Sequence, residues 1–343
     1  MARPKKTSPK TGAAKRTTTP KSGAATRTAT PKTGAAKRAA APKSRAPRRA
    51  TRSAAAPGAS PAIQGWTTDP MGGSPPLAMP VPDLPGTVLP TRILGTAPAP
   101  GVFAISTPEF RFWTAAEALR RAAGLWGSVT PGVWNPAVGA SLPVRLDDGV
   151  DLNAYYARVD FPPQGIKQGL SFYHDTVQSV ADRQSLTVYS GESPDVVAHE
   201  FGHAVLDALK PSLWDVSTTE AAAFHESFGD QSAILTALQL PSVRQAVLDE
   251  TDGRLGRNST VSRVAEQLGF ALRQRSPDSV DPDSLRNAAN SFVYTDPVTL
   301  PAAGPATGLT RAAHNFSRVF TGAFLQALGG MVLVLNPRPD SEA

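Results

Sequence analysis

The stretch Ser193 to Lys210, SPDVVAHEFGHAVLDALK, constrains this chain most. Within it, His199-Glu200-Phe201-Gly202-His203 is an H-E-x-x-H pattern. On a helix, residues i and i+4 share one face, about 6 Å apart along the axis. Two imidazoles so placed can hold one metal ion, with Glu200 beside the same open site. Ser193 suits a cap, Pro194 the first helical position and Asp195 the positive end of the helix dipole. Val196, Val197, Phe201, Val205 and Leu206 supply apolar cover, and Lys210-Pro211 a stop. The bland alternative is a buried helix whose histidines are ordinary polar residues, so the rest of the chain has to decide.

Charge divides the 343 residues unevenly. Residues 1–60 hold 16 of the 35 Lys+Arg and none of the 28 Asp+Glu, which leaves the remainder at a net of −9. Here Pro9-Lys10-Thr11-Gly12-Ala13-Ala14-Lys15-Arg16 recurs from Pro20 and Pro31, and in degenerate form from Pro42, a period of eleven. Regular Pro and Gly, few apolar side chains and high charge predict a disordered tail. Its composition resembles the tails of linker histones, which implies non-specific binding to nucleic-acid phosphates. The alternatives are a solvated tail, or an address handled by export machinery. Residues 61–100 read as a Pro/Gly-rich linker, residues 101–335 as the folded domain and residues 336–343 as a disordered end.

No cysteine is present, which excludes disulfides, thiolate nucleophiles and Cys-based metal sites. The N-terminus shows no apolar stretch of the signal-peptide kind. With no obvious run of about 18 apolar residues, no membrane span is expected. These features suit a cytoplasmic protein, or one exported without a classical signal.

The fold class predicted is α+β. Val102–Ser106 and Leu142–Leu146 read as strands, with a helix from Thr107-Pro108-Glu109 to about Trp126 between them. Asn153-Ala154-Tyr155-Tyr156 reads as a helix or helix start. Gly169–His174 and Ser185–Tyr189 read as strands ahead of the H-E-x-x-H helix. A strand edge beside the site offers backbone pairing to an extended peptide. After Pro211 the pattern is helical, over about 218–239, 242–249, 260–274 and 310–328. The order is a mixed N-terminal lobe, the H-E-x-x-H helix, then an all-helical C-terminal lobe.

A third metal ligand is needed, and the next helix offers Glu220 and Glu226. Ser217-Thr218-Thr219-Glu220 reads as a capping box, which occupies Glu220 and favours Glu226. Asp230, four residues on, lies on the same face as Glu226. It is suited to receive the second N–H of a ligating histidine, and Asp207, one turn beyond His203, is the other candidate.

Val197-Ala198-His199-Glu200-Phe201-Gly202-His203-Ala204-Val205, followed by Glu226-Ser227-Phe228-Gly229-Asp230, resembles the thermolysin-like (gluzincin) zinc metallopeptidases. The resemblance covers roughly residues 140–330 and is specific over 193–230. It implies a zincin-like fold and a zinc endopeptidase acting on protein or peptide substrates. His199, His203 and Glu226 would bind Zn2+, Glu200 would be the general base, and Asp207 and Asp230 would orient the ligands. His314, opening a late helix, matches the family's transition-state histidine. His174, Trp214 and His225 are candidates to line the cleft. Trp214 stands where the family often has tyrosine, no acid buttresses His314 near residues 310–313, and the late lobe is shorter than the family's. These departures favour a rival reading, a catalytically weak metal-binding module. A second rival is a nucleic-acid-binding protein acting through its tail.

Overall fold

The computed structural model describes residues 62–130 and 132–335; the tail and the last eight residues lie outside them. The described residues form a mixed α+β structure with six α-helices and small sheets.

Its N-terminal lobe begins earlier than the sequence suggests. Strands β1 (Ala62–Gly65) and β2 (Leu77–Pro80) pair antiparallel. Strand β3 (Thr91–Ile93) pairs parallel with β4 (Leu142–Arg145). Ile63, Leu84, Leu89 and Ile93 are buried in the main core. The stretch read as a linker is therefore structural. Its Pro and Gly residues separate short buried segments, and that spacing hid the core positions from a composition-based reading.

Helix α1 (Pro108–Gly127) lies as expected, with Thr107 Oγ1 accepting the Phe110 N–H at 3.2 Å. Val102–Ser106 is not a strand: Val102 and Ile105 are exposed and Ser106 takes a positive φ. A four-stranded sheet runs in the order β3-β4-β6-β5, with β5 (Ala154–Ala157) antiparallel to β6 (Gly169–Phe172). The expected helix at Asn153–Tyr156 is thus a strand. Tyrosines suit a half-buried pleated surface, and Tyr156 pairs with Leu170 across it. A hairpin follows, β7 (His174–Gln178) with β8 (Ser185–Tyr189).

Helix α2 (Pro194–Leu209) carries the H-E-x-x-H residues, and Ser193 Oγ accepts the Val196 N–H at 3.4 Å. A 3-10 turn over Pro211–Asp215 leads to α3 (Thr219–Ala237). The cap here is Thr218, bonded to the Ala221 N–H, and not Ser217. Glu220 accepts instead from the Tyr294 hydroxyl at 3.3 Å, so the reciprocal capping box does not form.

Next come α4 (Pro241–Thr251), β9 (Arg263–Val264), α5 (Glu266–Arg275), β10 (Arg286–Asn287) and α6 (Ala313–Leu335). The later lobe is mainly helical, with the antiparallel β9–β10 pair inserted where only helices were expected. By length and composition α6 is apolar enough to cross a membrane, which the sequence reading did not anticipate. Phe316, Val319 and Leu325 along it are buried in the protein.

Candidate metal centre

Three elements converge where α2 crosses α3. Gly202 and Gly229 permit the approach: a Cβ on Gly202 would lie 3.1 Å from the Gly229 Cα, and one on Gly229 2.6 Å from the His199 ring. Only glycine fits at so close a crossing. The approach brings His199, Glu200 and His203 from α2 together with Glu226 and Asp230 from α3, and β10 adds Arg286.

Ligand-type atoms of His199, Glu200 and His203 lie within 4.8 Å of one another. The two imidazole centroids are 4.7 Å apart and the rings nearly perpendicular. Glu226 approaches both: His199 Nε2 is 3.5 Å and His203 Nε2 3.8 Å from its carboxylate oxygens. Two carboxylates therefore compete for a third ligand position. Glu226 faces the Nε2 atoms of both histidines, and its Oε2 is buried with no hydrogen-bond partner among the described residues. A buried carboxylate that faces two imidazoles, with Oε2 towards His199 and Oε1 towards His203, fits the donor set of a divalent metal.

Asp230 turns His199. Its Oδ1 is 3.0 Å from His199 Nδ1, which leaves Nε2 free to face Glu226. Arg286 anchors Asp230 through Nε at 2.9 Å and Nη2 at 2.7 Å. The same guanidinium reaches within 3.6 Å of Glu226. Three carboxylates, Glu200, Glu226 and Asp230, thus gather near the Arg286 guanidinium.

The protonation pattern has the same origin. Burial works against the His199 cation, but Asp230 and Glu226 outweigh it and raise its pKa to about 9. Burial and the His199 charge push His203 down to about 3. Burial raises Glu200 to about 7, opposed mainly by His199, with a weaker contribution from the Tyr156 backbone N–H. Burial would also raise Asp230, yet Arg286 and His199 bring it to about 2. Glu226 is held well below the ordinary range, because His199 beside it and the surrounding cationic groups overcome its burial.

The centre opens into a cleft of ≈ 880 Å³ lined by Tyr155 and Tyr156 of β5, Trp214, His225, Leu268, Arg286 and His314, among others. His314, in the first turn of α6, has its Nε2 3.4 Å from Glu226 Oε2, and its side chain is 73% exposed. His225 and Trp214 line the wall with ring centroids 5.8 Å apart.

Two expected positions fall elsewhere. His174 does not line the cleft; its Nδ1 lies 2.5 Å from Asp147. Asp207 makes no hydrogen bond to His203. It is fully buried and accepts from Tyr156 Oη at 2.7 Å, Asn135 Nδ2 at 3.3 Å and Arg158 Nε at 3.0 Å. On the helix it points past His203 towards the sheet. Sequence reasoning missed Arg286 altogether. No local pattern marks it, since its role depends on β10 pairing with β9 and facing α3.

Comparison of the chain with protein-family models, with curated proteins and with solved structures finds no match.

Proposed function

We propose that this protein is a metal-dependent peptidase of the zincin kind, with zinc as the resident ion. The observation that carries the reading is the convergence of His199 Nε2 and His203 Nε2 on the two oxygens of Glu226, at 3.5 and 3.8 Å, with Oε2 lacking any hydrogen-bond partner among the described residues. His199, His203 and Glu226 would hold the metal, a His₂Glu donor set common in catalytic zinc sites. When bound, the ion supplies Lewis-acid polarisation and makes water a usable nucleophile near neutral pH.

The chain's own residues do the rest. Glu200, buried and adjacent, accepts a proton from the attacking water and returns it to the leaving amine. Asp230 and Arg286 keep the His199 ring turned so that Nδ1 is engaged. His314, exposed at the mouth, would donate to the carbonyl oxygen as charge develops on it. The outer edge of β5 is unpaired among the described residues and offers main-chain hydrogen bonds to an extended peptide. The order of mixed lobe, metal helix and mainly helical lobe also suits the thermolysin-like family that the motifs resemble.

The test is metal content and proteolysis together. Zinc-loaded protein is expected to cleave casein in a chelator-sensitive way, and Glu226→Ala to lose zinc. Full zinc occupancy in Glu226→Ala would assign the third ligand elsewhere. Residues 1–60 support a second, additive reading through their 16 basic and no acidic residues. DNA binding by the full chain, falling steeply with salt and lost on deleting 1–60, would support it; absence of binding at low salt would remove it.

A further inference from the structure

Asp207 leaves a question open: a fully buried carboxylate one turn beyond a candidate metal ligand does not touch that ligand. Its partners show what it does. Arg158 follows β5 directly and grips Asp207 through both Nε and Nη2. The same Nη2 donates to the Pro211 carbonyl at 2.8 Å, at the start of the turn that carries Trp214. The Arg158 guanidinium carbon stands 5.1 Å from the Trp214 ring centroid. On the other side, the Tyr156 hydroxyl bonds Asp207 at 2.7 Å, and its ring meets Trp214 edge-on at 5.4 Å.

One clamp therefore fixes three things at once: the end of the open strand β5, the turn bearing Trp214, and the C-terminal part of the metal helix. Trp214 is 40% exposed and lines the cleft with Tyr156, Leu213, Val216 and His225. Among the described residues, no charged side chain lines this stretch of wall, and the Arg158 charge is paired with the buried Asp207. An apolar and aromatic trough of this kind accepts a large apolar side chain.

We propose that Trp214 is a specificity-determining residue and that Arg158 is the positioning residue that holds it against β5, forming a subsite for an aromatic or large aliphatic side chain of the substrate. The subsite rests on the peptidase reading, but it concerns where the substrate is gripped, not how the bond is broken. Arg158 touches neither the candidate ligands nor the reacting atoms. Its loss should weaken substrate binding and leave the metal centre intact. A guanidinium is needed because it serves a carboxylate, a carbonyl and an aromatic face together, which a lysine does not.

Zinc-loaded, full-length protein is titrated with two kinds of probe. Acetohydroxamic acid reports the metal alone. Peptidyl hydroxamates with phenylalanine on one or the other side of the metal-binding group report metal plus wall. Arg158→Ala and Trp214→Ala are each expected to weaken at least one peptidyl hydroxamate about tenfold, with acetohydroxamate affinity held within about twofold. Arg158→Lys should not restore the lost affinity. The double variant should be no weaker than either single variant, because both remove one shared feature. Trp214 is exposed and lies in a turn, so its variant keeps the test valid if Arg158→Ala folds poorly. Unchanged peptidyl affinity, or fully additive losses, would overturn the subsite while leaving the metal reading standing. Wild-type protein that binds neither kind of hydroxamate would overturn the metal reading and the subsite with it.

Discussion

Asp230 Oδ1 sits 3.0 Å from His199 Nδ1 while both its oxygens are held by Arg286. This contact fixes which nitrogen of His199 faces Glu226. A carboxylate behind a ligating histidine sets the ring's orientation and raises its basicity. Asp230→Asn is expected to fold and to lower zinc affinity about 10–100-fold, read by competition with a fluorescent chelator. Wild-type affinity in this variant would mean that the ring is oriented by other means.

The α2–α3 crossing makes a second prediction. A methyl group at Gly229 would lie 2.6 Å from two atoms of the His199 ring. Gly229→Ala should cost about 1–3 kcal/mol through overpacking and displace the imidazole. Thermal melts of the metal-free protein and zinc titration would both register the change. A variant with unaltered melting and zinc binding would show that the crossing has slack.

A third prediction concerns pH. Burial holds the Asp195 carboxyl well above its ordinary range, with the neighbouring Asp69 adding to it. A carboxyl whose pKa is raised on folding binds its proton more tightly in the native state. Its favourable contribution is complete below the unfolded pKa and is lost as pH rises through the folded one. Asp195→Asn removes that loss while keeping an oxygen to accept the Ala265 N–H, which now lies 3.4 Å from Oδ2. The variant should melt about 2–4 °C higher than wild type at pH 8, and the difference should shrink towards pH 4. A lower melting temperature at pH 8 would contradict the assignment.

The N-terminal stretch supplies a fourth. Ile63 is fully buried and Val102 is 73% exposed, although both lie in regions of similar composition. Ile63→Ala should cost about 2–5 kcal/mol, whereas Val102→Ala should change stability by no more than about 0.5 kcal/mol. Denaturant unfolding distinguishes them, and equal effects would restore the linker reading of residues 61–100.

What the sequence disclosed follows from how local each signal is. The α1 and α2 helices were legible because Thr107-Pro108 and Ser193-Pro194 combine a cap with a first-turn proline. His199, Glu200 and His203 were legible because helical spacing alone brings them together, and Glu226 and Asp230 because they share one face of the next helix. Tyr155 and Tyr156 were misread because four residues do not separate a strand from a helix start; pairing with β6 decides it. Ser217 lost the cap to Thr218 by one position, and Glu220 instead meets Tyr294, 74 residues away. Arg286 and the Asp207 clamp were hidden for the same reason. Each is defined by partners from separate elements, and no spacing along the chain encodes them.

In the proposed mechanism, Glu200 acts as the base beside a metal held by His199, His203 and Glu226. Glu200→Gln tests it most directly, with zinc content and casein cleavage measured on the same full-length sample. Zinc is expected to remain at about one per chain and cleavage to fall by at least about 10²-fold. Cleavage at the wild-type rate, with zinc retained, would contradict it.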